Sequence, residues 1–368
     1  MVERRPAMVP DASARDPRDL GWRVVETTLI ALALIVLAAL LWFAADVLLL
    51  LFAAVLLATL LRAATNGLVH LTGIRDGLAL ALVLLLALGV VVGGGLVLVP
   101  QVASQGPELV DNLGRALVDL QRRLGLADVT HELTSKVSAK DLLPSPAGLV
   151  GGATNVISSS FGAVANAVIV VVIGIYLAAD PDLYLRGLAH LVPHAHRRIT
   201  RELFESIGQT LRWWMVGQLV TMTTVGVLSY LALRLLGVPL ALILGVLVFL
   251  LTFVPFIGAI VAAIPVVLVA FSEGPTTGLY AFVAYSAIEM FEGYVLSPLV
   301  QRHSVSLPPA LMIAAQVLLG VLLGVLGLAL ATPLAATAMV AINRLYVQEL
   351  LGDSDDAEPA GTAPGARP

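Results

Sequence analysis

The feature that most constrains this chain is a succession of apolar windows, each about 20 residues long. That is the length at which a helix rising ~1.5 Å per residue crosses ~30 Å of hydrocarbon. Such windows run from Val24 to Ala45, Val47 to Leu61, Gly77 to Val99, Val156 to Ala178, Met215 to Leu236 and Gly278 to Leu296. Lipid offers no partner to a backbone amide or carbonyl, so windows of this kind must be helices. Composition agrees: 59% of residues are hydrophobic and 12% charged, against about half and a quarter in ordinary soluble domains. The expected fold class is an all-α integral membrane protein. The absence of cysteine excludes disulfides, thiol catalysis and cysteine-held metals. The net charge of -4 is spread over ends and loops, which points to neither a nucleic-acid partner nor an acidic scaffold.

The polar segments divide the chain. Residues 1–23 mix arginines with prolines and acids and read as a disordered cytoplasmic lead. The apolar run that follows is longer than the ~7–15 residues of a signal-peptide core, so cleavage is not expected. Residues 24–99 form three N-terminal spans, the first two paired tightly around Asp46 at the membrane surface. Residues 100–150 form a small amphipathic helical segment, too polar to span. Residues 151–351 hold a C-terminal transport core, and 352–368, rich in Asp, Ala, Pro and Gly, a second disordered end. Cytoplasmic loops carry an excess of Lys and Arg. The loop from Asp180 to Arg212, with five arginines and three histidines, and the short loop holding Arg62 and Arg75 are therefore placed inside. That orientation puts both termini in the cytoplasm of a bacterial cell, with Pro100 to Leu149 outside.

Two further apolar stretches do not fit a simple crossing. Leu240 to Phe271 and Ala310 to Ile342 would each make about 48 Å of straight helix, too long for one crossing and too short for two. Both are interrupted near the middle. Pro255 and Gly258 interrupt the first, and the run "GVLLGVLG" with Gly324 and Gly327, followed by Pro333, interrupts the second. Proline removes a backbone hydrogen bond and glycine allows reversal. One reading is a pair of re-entrant helical hairpins, the first from outside and the second from the cytoplasm, giving about six full spans plus two hairpins, or about eight membrane segments. The other is a pair of kinked, tilted spans. Freed peptide groups at a hairpin tip must be buried in protein or line a wet cavity, as in the discontinuous helices of transporters.

Several motifs have a familiar order: "IYLAADPDLY" at Ile175 to Tyr184, "WWMVGQL" at Trp213 to Leu219, "LLGVPLALILG" at Leu235 to Gly245, "VPFIG" at Val254 to Gly258, "EGYVLSP" at Glu292 to Pro298 and "GVLLGVLGLALATPLAA" at Gly320 to Ala336. Together they resemble the autoinducer-2 exporter family of bacterial permeases, over most of Thr28 to Tyr346. The resemblance implies a multi-span permease with about eight membrane segments. Some members export a small polar signal molecule, and others are proposed to exchange sodium or lithium for protons. The chain departs from the family pattern at Leu307, Pro308 and Pro309, where a histidine is usual, and at Glu289, where glutamine is common.

Candidate transport residues follow from polarity in an apolar setting. Glu289 and Glu292 lie three apart, so on a helix they share a face about 5–6 Å apart. An intramembrane carboxylate costs roughly 2.5–3.5 kcal/mol and is a functional hypothesis by default. A proton or cation bound at the pair would relieve that cost, as ion coupling requires; near Pro298 the pair also reads as solvated carboxylates at the interface. Gln218, Thr221, Thr223 and Thr224 crowd the start of one span and read as a solute path or as helix glue. Gln316 is a lone amide suited to cap the second hairpin or touch solute. Asp180 and Arg234 read as interface anchors, and His190, His194 and His196 as surface charge without metal spacing.

No nucleotide cradle or catalytic triad is present in the sequence. The expectation is therefore a permease or exporter for a small polar solute, without enzymatic activity, metal or cofactor, passive or driven by an ion gradient. Monovalent cation/proton antiport and a membrane scaffold using the outer segment are the alternatives. Its expected partners are the lipid bilayer, the solute or cation, and further copies of itself in a homo-oligomer. The orientation is checked by cysteine labelling of this naturally cysteine-free chain. A cysteine at Asp46 should react with an impermeant reagent added outside, and one at Arg198 should react only after permeabilisation.

Overall fold

A computed structural model describes residues 17–123, 146–300 and 308–350. Every regular element among them is helical. The expected disordered tail, residues 1–16 of the lead, the middle of the outer segment at 124–145, and Leu307 lie outside the described residues. Two compact units divide the chain, Met1–Leu48 and Leu49–Pro368.

The first unit holds α1 (Pro17–Phe43) and the first turn of α2 (Ala45–Thr72). Helix α1 begins ahead of the expected Val24, because Pro17 at its first position needs no amide partner and is already set at the helical φ. The lead is thus shorter than the sequence suggested. Asp46 stands in the first turn of α2, where a negative charge complements the helix N-terminus.

In the second unit, α3 runs from Asp76 to Arg123. The outer segment was expected to break from the third span near Pro100. Its first part instead continues that span, because leucines at 109, 113, 117 and 120 keep the helical period. Helix α4 (Pro146–Ala179) ends at a bend of 87° into the short α5 (Pro181–His190). Asp180, expected as an interface anchor, caps α5 by accepting a hydrogen bond from the Leu183 amide at 3.1 Å. Arg62, inside α2, ties two helix ends to that helix. It donates to Asp76 at 2.7 Å and to the Ala179 carbonyl at 2.9 Å, so α2 holds the start of α3 and the end of α4.

Helix α6 is long, Arg197–Leu235, and buries Leu211, Trp214, Met215, Gln218, Met222, Val225 and Leu233 along one stripe. It ends in a glycine cap. The Gly237 amide bonds the Arg234 carbonyl, the Val238 amide bonds the Leu233 carbonyl, and Gly237 sits at φ +71. This is the Schellman pattern, and Pro239 just beyond it cannot continue the helix. The chain then reverses into α7 (Ala241–Leu251), which packs antiparallel on α6. Glycine permits the close crossing. A Cβ on Gly226 would come within 2.7 Å of Phe249 Cβ, and one on Gly245 within 2.7 Å of Tyr230 Cβ.

After the turn Thr252–Phe256 comes α8 (Ile257–Ser272). At 11 and 16 residues, α7 and α8 fall short of the ~20 that a crossing needs. The two helices share one buried cluster, with Leu244 and Val248 from α7 and Ala262, Val266 and Val269 from α8. Helix α9 (Pro275–Phe291) leads through a π-helical turn, Glu292–Leu296, into α10 (Ser297–Val300). The last stretch, α11 (Pro309–Ile342), continues into a second π-helical segment, Asn343–Leu350.

Helix α11 is not straight. Gly324 has φ 66 and ψ -153, and the Gln316 amide donates to Thr332 Oγ1 at 3.2 Å. In a straight helix those residues would be about 24 Å apart, so the chain doubles back at Gly324. A Cβ on Gly320 would touch Leu328, the same distance on either side of that residue. By length and apolarity alone, residues 309–346 qualify as one span; a chain folded back on itself does not present that length. By the same measure the described residues hold four helices able to cross a membrane, or five with the bent α4–α5 pair. The eight expected segments are not found by this measure. The shortfall lies in α1, whose apolar part Thr28–Phe43 is short, in the broken α7–α8, and in α9, which is 17 residues long and passes into the π turn at the expected end of its span.

The glycine crossing of α6 and α7 predicts that Gly226→Val destabilises the protein by overpacking, by about 1–3 kcal/mol. Gly67→Ala, with no atom within 4 Å of the added Cβ, should be close to neutral. Thermal unfolding in lipid discs measures both.

Candidate functional site

The turn between α7 and α8 is built from the residues that looked unfit for a helix. Phe256 has φ 63 and ψ -63, and the Ile257 amide donates to the Pro255 carbonyl at 2.8 Å. That bond closes a γ-turn of positive φ, a rare and strained conformation, and for a bulky side chain it costs about 1–3 kcal/mol. Next to it, a Cβ on Gly258 would overlap the Leu251 carbonyl. Glycine at 258 is thus a packing requirement.

Breaking the helix frees the Thr252 carbonyl, and side chains bond the backbone around it. Gln218 of α6 donates to the Thr252 carbonyl at 2.6 Å, and Thr252 Oγ1 donates back to the Val248 carbonyl at 2.7 Å. The Tyr285 hydroxyl of α9 donates to the Ala259 carbonyl at 2.9 Å. The turn is therefore bound to α6 on one side and to α9 on the other.

These elements enclose a cavity of about 470 Å³, within the usual range of ligand pockets. Helix α6 contributes Trp213, Trp214, Gly217, Gln218 and Thr221. The turn and the start of α8 contribute Thr252, Val254, Pro255, Phe256 and Ala259. Helix α9 and its π turn contribute Glu289, Glu292 and Gly293, followed by Ser297 of α10 and Pro309 and Met312 of α11. The π turn adds one residue to the helical repeat at Glu292, and such bulges recur at functional sites.

Of the residues expected from sequence, Glu289, Glu292, Gln218, Thr221 and Pro255 share this cavity. Both carboxylates are half-buried, and Glu289 Oε1 is buried with no hydrogen-bond partner among the described residues. Thr223 is exposed, and neither it nor Thr224 lines the cavity. Gln316 is fully buried inside the folded-back α11, bonded to Thr332, and does not reach the cavity. Gly324, Gly327 and Pro333 also belong to that fold and lie outside the cavity wall. The two breaks nevertheless share a neighbourhood, since Phe253 and Leu323 both pack on the cluster of Leu211, Trp214 and Leu330.

Sequence reasoning did not assign Trp213, Trp214, Phe256 or Met312 to the site. The available signal was Trp214, four residues before Gln218 and so one helical turn away on the same face.

The sequence matches the AI-2E family transporter profile across residues 30–346. The chain belongs to that family. It is 31% identical over 297 residues to MT0215 of Mycobacterium tuberculosis, covering 77% of this chain and 78% of the relative. It is 28% identical over 187 residues to YueF of Bacillus subtilis, covering 50% of this chain and 51% of the relative. With YrrI of Bacillus subtilis the identity is 25% and the coverage 46% and 48%. The names of all three propose a transport protein. The chain spans about half the length of the two Bacillus relatives it matches. The AI-2E family resemblance seen in the motifs is thus a family membership, and it makes this an integral membrane protein of a transporter family.

The bond from Gln218 to the Thr252 carbonyl predicts that Gln218→Leu orphans a buried acceptor. The expected loss is about 1–3 kcal/mol, read as a lowered midpoint of thermal unfolding, with Gln218→Glu unable to restore it because a carboxylate has no N–H to donate.

Proposed function

We propose that this AI-2E family protein is a secondary transporter that moves a small polar solute through the cavity between α6, the α7–α8 turn and the π turn of α9. The observation that supports this reading is the convergence of a broken helix and two half-buried carboxylates on one cavity in an apolar protein. In our reading, α7–α8 and the doubled-back α11 are re-entrant hairpins entering from opposite faces, and both termini are cytoplasmic. Movement of either hairpin would open the cavity to one side at a time, which is what alternating access requires. The α6–α7–α8 unit and the α9–α11 unit would then be related by inverted topology.

Glu292 is assigned the coupling role. It begins the π turn beside Gly293, where the backbone can shift between helical registers, and it shares the cavity with Glu289. The paired carboxylates also favour a second reading, exchange of a monovalent cation for a proton, in which the same two groups bind either ion in turn.

Reconstitution in proteoliposomes with an imposed pH gradient tests the assignment. Solute or cation flux that depends on pH in the native protein should lose that dependence in Glu292→Gln, while thermal stability stays within about 1 kcal/mol, the range typical of a substitution that breaks no buried network. Gly258→Ala should fail to support flux because the added methyl overlaps the Leu251 carbonyl. PH-dependent flux unchanged in Glu292→Gln would remove the coupling role.

A further inference from the structure

The chemistry of the cavity wall discriminates among polar solutes. Among the described residues, its two ionisable groups are both acidic, Glu289 and Glu292, and no Lys, Arg or His lines it. Arg212 does not line the cavity; its guanidinium lies 6.0 Å from the centroid of the Trp213 ring. The cost of a negative pocket in an apolar protein is relieved when its carboxyls take up protons or when a positive charge enters it. An anionic solute would add a like charge, whereas a cationic one can take the place of the protons on the carboxyls, which a neutral one cannot.

The remaining wall narrows the kind of cation. Trp213, Trp214 and Phe256 present aromatic surface to the cavity, and ring faces attract ammonium groups within about 6 Å. A bare alkali ion is instead bound by a close shell of oxygens and has no use for aromatic walls or for about 470 Å³ of space. Thr221 adds a polar anchor. It is 7% exposed and lines the cavity, and none of the hydrogen bonds among the described residues engages its hydroxyl. A polar group so deeply placed and open only to the cavity is suited to a ligand hydroxyl or N–H.

We infer that the solute bound in this cavity is a small organic cation, an ammonium compound with a polar substituent, held between the Glu289 and Glu292 carboxylates and the aromatic wall with Thr221 meeting its polar end. This rests on the reading of the cavity as the transport site and names the class of solute it takes.

The test uses the full chain in lipid discs and choline as the probe, followed by intrinsic tryptophan emission, since two of the four tryptophans line the cavity. Choline should bind saturably, and its uncharged isostere, in which a tert-butyl group replaces trimethylammonium, at least about tenfold more weakly. The Glu289→Gln, Glu292→Gln double variant should lose the preference for charge. Equal affinity for choline and the isostere, or no saturable response to choline, overturns the proposal without any variant having to fold. Displacement of choline by sodium or lithium at equal concentration also overturns it, leaving an inorganic cation site only. Flux in proteoliposomes separates the two readings. Movement of an uncharged solute without choline binding sinks the cation site and leaves transport standing. Choline binding without movement of any solute sinks transport and leaves the cation site.

Discussion

A helix may be broken inside a membrane protein only if the peptide groups it frees find partners, and this constraint organises the second unit. Lipid supplies none, and an unmet buried carbonyl costs about 1–3 kcal/mol. Gln218 meets the Thr252 carbonyl, while beside the breaks Tyr285 bonds the Ala259 carbonyl of α8 and the Gln316 and Thr332 side chains bond each other. Gln218, Gln316 and Thr332 are thus tied to a break in the backbone, whereas Ser229 Oγ is buried with no partner among the described residues. The breaks determine where the long helices must be: α6 must run beside the first turn to deliver Gln218, and α9 must run past α8 to deliver Tyr285.

That arrangement has a functional consequence. A helix end cannot be sealed by side chains on every side without filling the space around it, and around Thr252–Phe256 the space is left open as the cavity. The same turn carries the strained Phe256, held at positive φ by the Pro255–Ile257 bond. Strain of this kind persists only where the surroundings over-determine it. Here the surroundings are the Gly258–Leu251 contact and the α6 side chains. The π turn at Glu292 is the counterpart on the opposite wall, a place where the helical repeat is already relaxed.

The close glycine crossing of α6 and α7 performs a different task. In lipid, helix association depends on van der Waals contact between small residues more than on burial of apolar area. Gly226 and Gly245 let the two backbones approach until each glycine faces the other's carbonyl, at 3.1 and 3.2 Å from where a Cβ would stand. That crossing anchors the first fold to the longest buried helix in the unit. The second fold is anchored differently, through Leu323 and Leu330 on the cluster that also holds Trp214.

Apolar periodicity in the sequence determined that this is a helical membrane protein, and it located the two interruptions, because a run longer than one crossing with Pro or Gly at its centre has few ways to fold in lipid. Spacing also placed Glu289 and Glu292 on one wall and brought Gln218 and Thr221 to the same helix face, since those relations lie within a single helix and depend only on its repeat. The sequence could not distinguish a kink at Gly324 from a reversal. Both use the same glycine, and the choice is made by the bond from Gln316 to Thr332 sixteen residues away. Nor could it show that the outer segment continues the third span, that Gln316 is excluded from the cavity, or that the tryptophan pair enters it. Those outcomes depend on which helices pack together, and packing is decided by contacts between residues far apart in the chain, where no local period reaches.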